Sequence, residues 1–365
     1  MVSIASIHKS HFHLQLAAID TMIFAHLLPL LGLLTSASAL PTTTPSKPLP
    51  LLIWHGLGDK FDNPGLLSTG ELAQKIHPGT YVHYIRVAND SSADRTATFF
   101  GNITAQIVNV CTALHDDPFL SRDGTIRADA LGFSQGGQFL RGLLERCEGL
   151  SVRSLVTFGS QHNGIAQFQA CGTYDFVCKG ASALVGGNAW TDYVQSRVIP
   201  AQYFRPLNAT TGEPEDGYLE HSHFLADVNN EKVLKNEAYK AKVSALEKFV
   251  MYVFSEDKTV VPKESGWFAE VNATSEVVTP LRERPIYKED WLGLKALDEK
   301  GGLIFKTTPG GHMDLEEEVL VETFAEHFGS ERGVLSAGVQ AVSGTRQSWW
   351  TKSLSEPKVL HQDFL

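Results

Sequence analysis

Ala128-Asp129-Ala130-Leu131-Gly132-Phe133-Ser134-Gln135-Gly136-Gly137-Gln138-Phe139-Leu140 is the stretch on which the fold of this 365-residue chain turns. Ala128–Leu131 reads as a buried strand and Gly132–Gly136 as a sharp turn of the form G-x-S-x-G. The next segment reads as an amphipathic helix with Leu140, Leu143, Leu144 and Cys147 on one face. A serine hydroxyl is a poor nucleophile until a base takes its proton, so its place in the chain matters as much as its identity. Between a strand and a helix, the glycines allow close packing while Ser134 is thrust out at the strand's carboxyl end. The bland alternative is a helix N-cap serine in a glycine-rich turn.

Outward from this turn, short apolar runs recur at Leu51–Trp54, Tyr81–Val87, Leu155–Phe158, Phe249–Phe254 and Leu303–Phe305, with helical stretches between several of them. The alternation predicts the α/β class, with a mostly parallel central sheet flanked by helices. Residues 167–237 lack this rhythm and read as a cap-like insertion within a catalytic domain spanning 49–329. Residues 40–48 are a polar, proline-bounded arm. Residues 330–365 form a Gly/Ser-rich tail carrying Trp349-Trp350, read as poorly ordered.

A serine hydrolase built on such a sheet takes its acid and then its histidine from the ends of later strands. His312 fits best, because the Thr308-Pro309-Gly310-Gly311 loop would carry it from the strand at Leu303–Phe305 to the sheet's edge. His327 lies in a helical pattern and His361 in the tail, where surface roles are expected. His221 and His223 form an H-x-H pair with no third ligand in view, so packing is preferred to metal binding. Asp257, just past the Phe249–Phe254 strand, is the acid of choice over Asp227, Glu256, Asp290 and Asp314. The oxyanion of the tetrahedral intermediate needs two backbone N–H donors. Gln135, after the nucleophile, supplies one. Leu57, in Trp54-His55-Gly56-Leu57-Gly58-Asp59 after the first core strand, supplies the other. The constellation is that of an α/β-hydrolase and calls for neither cofactor nor metal.

With 43% hydrophobic and 20% charged residues, the composition is that of an ordinary globular protein. A net charge of -10 and no long basic run argue against nucleic acid, or an acidic membrane held by charge alone, as partners. Met22–Leu34 is apolar but short for a membrane span, and Ala37-Ser38-Ala39 follows, so residues 1–39 read as a signal peptide, with Met22 as an alternative start. No permanent span is expected after cleavage. The expected destination is the secretory pathway, ending in the lysosome or vacuole lumen or outside the cell. Sequons at Asn89, Asn102, Asn208 and Asn272 are glycosylation candidates that suit this route. Cys111, Cys147, Cys171 and Cys178 permit two disulfides among three pairings. Cys171 with Cys178 would close a small loop and leave Cys111 with Cys147 as the longer staple; four buried thiols are the alternative.

Four segments together resemble the palmitoyl-protein thioesterases, lysosomal enzymes that remove fatty acyl groups from cysteine. They are Trp54–Asp59, Leu131–Arg141, Phe224-Leu225-Ala226-Asp227 and Trp291-Leu292-Gly293-Leu294-Lys295, and the likeness runs from about Leu49 to Gly329. The resemblance implies a triad of Ser134, Asp257 and His312, disulfides Cys111–Cys147 and Cys171–Cys178, and as substrates S-acylated proteins or peptides and other long-chain acyl thioesters. Three features depart from the family pattern. Lys60-Phe61 stands where an adjacent cysteine pair is usual, Gly311 where an acidic residue precedes the histidine, and the tail past Gly329 is extra. A secreted lipase or carboxylester hydrolase is the enzymatic alternative, and an inactive lipid-binding relative the non-enzymatic one.

Overall fold

The computed structural model describes residues 47–168, 176–185, 188–272 and 274–331. The expected signal peptide, the tail from residue 332 and the Cys171–Cys178 pairing lie outside them. In chain order the elements begin with β1 (Leu51–Trp54), α1 (Pro64–Ile76), β2 (Val82–Tyr84), α2 (Ser91–Ala97), α3 (Ile103–Asp116), β3 (Ser121–Arg122), β4 (Thr125–Phe133), α4 (Gln135–Arg146) and β5 (Leu150–Phe158). Short helices α5 (Phe176–Val185), α6 (Asp192–Gln195), α7 (Asp216–His221), α8 (Leu225–Val228) and α9 (Glu237–Ser244) lead to β6 (Lys248–Phe254). A small hairpin, β7 (Glu270–Val271) with β8 (Val278–Thr279), precedes α10 (Pro285–Lys288), α11 (Leu294–Glu299), β9 (Leu303–Thr308) and α12 (Glu317–His327).

The main sheet runs β2-β1-β4-β5-β6-β9, all parallel, with β3 added antiparallel to β4. Parallel strands sheathed by helices have no wet face, which is why β1 and β6 are near-continuous apolar runs. Successive side chains alternate between two cores. Leu52, Trp54, Ala128, Ala130, Leu155 and Met251 join α3, α4, α9 and α11 on one face. Leu51, Ile53, Leu131, Phe133, Val156 and Val250 pack with α1 and α12 on the other.

Two features depart from the sequence expectation. Strand β5 starts five residues before Leu155, because its polar first half is satisfied inside the fold: Arg153 meets the Asp129 carboxylate at 2.5 and 3.0 Å. Helix α4 is not amphipathic in its surroundings, since every residue from Gln135 to Glu145 is buried. The polar flank of α4 is roofed by the chain between β5 and β6. Arg141 reaches Glu145, Asn229 and the carbonyls of Val228 and His162, so its charge is paired and hydrogen-bonded where no water could serve it. A second buried ionic cluster pins the same insertion: Arg205 binds Glu231 and Glu270, and Arg284 binds Glu270. Removing one member of such a cluster strands a buried charge, at a cost of about 3–5 kcal/mol.

Candidate active site

Ser134 sits between β4 and α4 with φ 51° and ψ -124°, a conformation that costs a non-glycine residue about 1–3 kcal/mol. The surroundings hold it there: its N–H donates to Phe158 O at 2.7 Å, and its own carbonyl accepts from Gly137 N. Backbones meet directly around this turn. A Cβ on Gly132 would lie 2.4 Å from Gly137 Cα, and one on Gly136 would lie 2.4 Å from His55 O. Glycine is therefore required at both positions, and the G-x-S-x-G spacing follows from the packing of β1, β4 and α4.

The ends of β6 and β9 bring the partners. His312 Nε2 stands 2.9 Å from Ser134 Oγ, and its Nδ1 stands 2.7 Å from Asp257 Oδ2. Asp257 Oδ1 accepts the N–H groups of Thr259 and Val260, which fixes the carboxylate's orientation. The two loops are tied to each other by Glu256 N–H donating to Gly310 O. Ser134 and Asp257 are buried, at 8% and 9% exposure, so the relay is largely shielded from water. A carboxylate on Nδ1 leaves Nε2 as the lone pair facing the serine, the tautomer a general base needs.

The rival acids are engaged elsewhere. Asp227 pairs with Arg146, Asp290 with Lys240, and Asp314 packs beneath Gly310, while Glu256 is exposed. Among the histidines, His221 and His223 lie near Glu220 and Asp192. His162 stacks on Phe268 and is so buried that its imidazole is held neutral, well below its ordinary pKa. His327 corrects the expectation of a surface role. It closes α12 at 4% exposure, and burial pushes its pKa down to about 4. His361 lies outside the described residues. Cys111, His115 and Cys147 approach one another as metal ligands would, but the two sulfurs are bonded to each other at 2.05 Å and are not thiolates.

Gln135 follows Ser134 in the chain, and Leu57 follows Gly56, the residue of its loop that packs against Ser134. Gln135 opens α4, so its N–H has no acceptor within the helix. The N–H of Gly58 is taken by Thr98 Oγ1, whereas that of Leu57 has no acceptor among the described residues. Gly56 lies against Ser134, since a Cβ there would come within 2.9 Å of Ser134 Cβ. What the sequence did not reveal is the support behind this loop. Asp94 of α2, fully buried, accepts from Phe61, Val87 and Ala88 N–H and meets His55 Nε2. Burial alone would raise its pKa, but the hydrogen bonds from His55, Val87 and Phe61 outweigh burial and hold the carboxyl below its usual range. Arg95 binds Gly58 O, and Thr98 O accepts from the Gln135 side chain, which also takes the Tyr203 hydroxyl. One short helix thus braces both proposed donors. Asp94 lies in a polar, sequon-bearing run whose pattern carries no signal of that role.

Beside Leu57 is a third, small apolar cluster of Phe99, Val185, Val194, Val198 and Ala201. A cleft of about 230 Å³ between α1 and α12, lined by Leu72, Leu315 and Leu320, touches none of Ser134, Asp257 or His312.

The family profile described as palmitoyl protein thioesterase matches residues 50–312, which take in the whole of this constellation. The chain belongs to the palmitoyl protein thioesterase family. It is similar to palmitoyl-protein thioesterase 1 of Caenorhabditis elegans, 33% identical over 302 residues that cover 82% of this chain and 98% of that protein. Palmitoyl-protein thioesterase 3 of Dictyostelium discoideum is 29% identical over 291 residues, covering 80% and 94%. A lysosomal thioesterase PPT2 homolog of Drosophila melanogaster is 26% identical over 268 residues, covering 72% and 85%. As a member of this thioesterase family, the chain is a hydrolase of the α/β-hydrolase fold.

Proposed function

We propose that this chain hydrolyses the thioester between a long-chain fatty acyl group and a protein cysteine through an acyl-Ser134 intermediate. The observation that carries the mechanism is the unbroken chain Ser134 Oγ, His312, Asp257 at the ends of β4, β9 and β6. Ser134 Oγ attacks the thioester carbonyl while its proton passes to His312 Nε2, and the oxyanion receives the N–H groups of Leu57 and Gln135. Collapse of the intermediate breaks the C–S bond, and the departing cysteine sulfur takes the proton back from His312. Water, activated by the same imidazole, then attacks the acyl-serine carbonyl and releases the fatty acid and Ser134. A thiol with a pKa of about 8.5 leaves more readily than an alcohol, so the triad itself serves thioesters and oxygen esters alike.

The acyl preference is supported by the family relationship, and a small buried apolar cluster of Phe99, Val185, Val194 and Val198 packs beside Leu57. S-acylated proteins or peptides are the substrates, and none of the groups named requires a cofactor. The route runs through the secretory pathway to a lysosomal or vacuolar lumen or outside the cell. That route is supported by the Cys111–Cys147 disulfide and by the lysosomal name of the Drosophila relative. Asn89 and Asn208 are exposed, and at Asn102, Asn208 and Asn272 the backbone hydrogen bond is made by Oδ1 rather than by Nδ2, the atom that carries a glycan. Among the described residues no helix is long and apolar enough to cross a membrane.

The test compares the wild-type protein and Ser134→Ala on an S-palmitoyl cysteine peptide and on a matched oxygen ester. Serine-dependent preference for the thioester is expected. Equal rates on the two would reassign the chain to a carboxylester hydrolase, and no serine-dependent turnover of either would leave it an inactive relative.

A further inference from the structure

Between α8 and α9 the chain runs Glu231-Lys232-Val233-Leu234-Lys235. Val233 is 96% and Leu234 88% exposed, well beyond any other large apolar side chain among the described residues, of which Phe119 at 66% is next. Two adjacent aliphatic side chains held in water are unfavourable, and here the base of the loop holds them there. Asn230, in the left-handed region at φ 53°, donates through Nδ2 to Asn236 O and Trp291 O, and its Oδ1 accepts from Asn236 N. Lys235 Nζ donates to Lys232 O and lies 3.8 Å from the centre of the Trp291 ring. Among neighbouring acids, Glu231 hydrogen-bonds inward to Arg205, Glu289 to Trp291 Nε1 and Asp290 pairs with Lys240, while Glu231 and Glu289 also act electrostatically on Lys235 and Glu237 is exposed beside the loop. The result is an apolar tip, tied at its base by hydrogen bonds, with a lysine on either side and the half-buried Trp291 beside Lys235.

We propose that this loop is a contact site for an anionic lipid bilayer, with Val233 and Leu234 entering the boundary between headgroups and acyl chains. Lys232 and Lys235 would meet the headgroups there, with Trp291 at the interfacial level favoured by its amphipathic ring. Two observations favour a bilayer over a protein. A stable protein interface buries about 1,200–2,000 Å² of complementary surface, whereas this is a tip of two side chains, and a bilayer requires no matching shape. The net charge of -10 removes long-range attraction to an acidic surface, but the lysines act at contact range, within a Debye length of the headgroups. The binding does not depend on the thioesterase reading.

Co-sedimentation with vesicles tests it without any substrate, using phosphatidylcholine alone and phosphatidylcholine mixed with phosphatidylserine. The wild-type chain is expected to bind the mixed vesicles at least about tenfold more tightly. Val233→Ser with Leu234→Ser should lower that binding about tenfold or more. Lys232→Glu with Lys235→Glu should reduce it to the level of phosphatidylcholine alone, and Phe119→Ser should leave it unchanged. Thermal midpoints equal to wild type establish that the variants fold. The proposal is overturned if the serine pair binds as well as wild type, if Phe119→Ser weakens binding equally, or if the two vesicle types are bound alike. Absence of all vesicle binding also overturns it.

Discussion

Asp94 Oδ2 meets His55 Nε2 at 2.8 Å, with both side chains wholly buried, and the same carboxylate accepts Phe61 N–H at 3.0 Å. The residues at the two ends of the loop that presents Leu57 are therefore hung from one group. A donor aimed at an oxyanion is useful only while it is held in place, because reorienting it during the reaction would cancel its benefit.

Replacing Asp94 with Asn keeps the shape but removes the charge and turns one of its two acceptor oxygens into a donor, so contacts on one side are lost and those on the other weakened. Loss of one oxyanion donor typically lowers kcat by about 10²–10³, so partial misplacement of Leu57 should lower it by about 10–100-fold. KM for a soluble acyl thioester should change by less than about threefold, since the loop is asked to act on the transition state. Steady-state kinetics on folded D94N protein decide this. A rise in KM with kcat intact would show that the loop shapes substrate binding instead.

For the reacting groups, the geometry at Nδ1 and Nε2 of His312 sets a ranking. Ser134→Ala removes the attacking atom, and Asp257→Asn leaves the ring to the wrong tautomer, a change that costs about 10⁴ in kcat in comparable triads. Residues that act as one unit are strongly non-additive, so the double variant should be no slower than Ser134→Ala alone. A double variant slower by a further factor of about 10⁴ would mean that Asp257 acts independently of Ser134.

How much of this was legible beforehand depended on whether the cause was local. The glycines around Ser134 announce themselves because close backbone approach admits nothing else, and His312 and Asp257 are found by asking which residues follow strands. Arg153 and Arg141 concealed the first half of β5 and the encasement of α4. Each is a charge inside the protein whose partners, Asp129 and Asn229, are distant in sequence. His327 misled for the same reason: its helix reads as a surface helix until α1 packs beside it. Asp94 is the clearest case, since its function lies wholly in four contacts made across the fold.

Acidification should weaken the fold through the buried histidines. An unfolded histidine takes up its proton near pH 6.5, whereas burial keeps His327 neutral down to about 4 and holds His162 lower than its ordinary value. Between those limits the unfolded state binds more protons at these two sites, so their contribution to stability falls as pH falls from about 6.5 to 4. Glu326 opposes the effect at His327, while Lys306 and Lys248 add to it. His327→Gln should flatten the dependence of the urea midpoint on pH across that window. An unchanged slope would remove His327 from the account.

The Cys111–Cys147 bond joins α3 to the residue that ends α4, at the opposite end of that helix from Ser134, and closes a separation of 36 residues. Its constraint acts mainly on the unfolded chain, and a loop of this length corresponds to about 2–4 kcal/mol. For a domain of this size each kcal/mol moves the melting temperature by about 2–4 °C, so Cys111→Ser with Cys147→Ser should melt roughly 5–15 °C lower. Leu114, Leu143 and Leu144 remain buried around the site and should keep the two helices packed at room temperature. Thioester turnover well below the melting transition should then stay within about twofold of wild type, because α4 is anchored at the Ser134 end by backbone contacts with β1 and not by the disulfide. Calorimetry and kinetics on the same double variant separate the two effects. An unchanged melting temperature would contradict the chain-constraint argument, and a parallel collapse of kcat would mean that strain at Cys147 travels the length of α4 to the nucleophile.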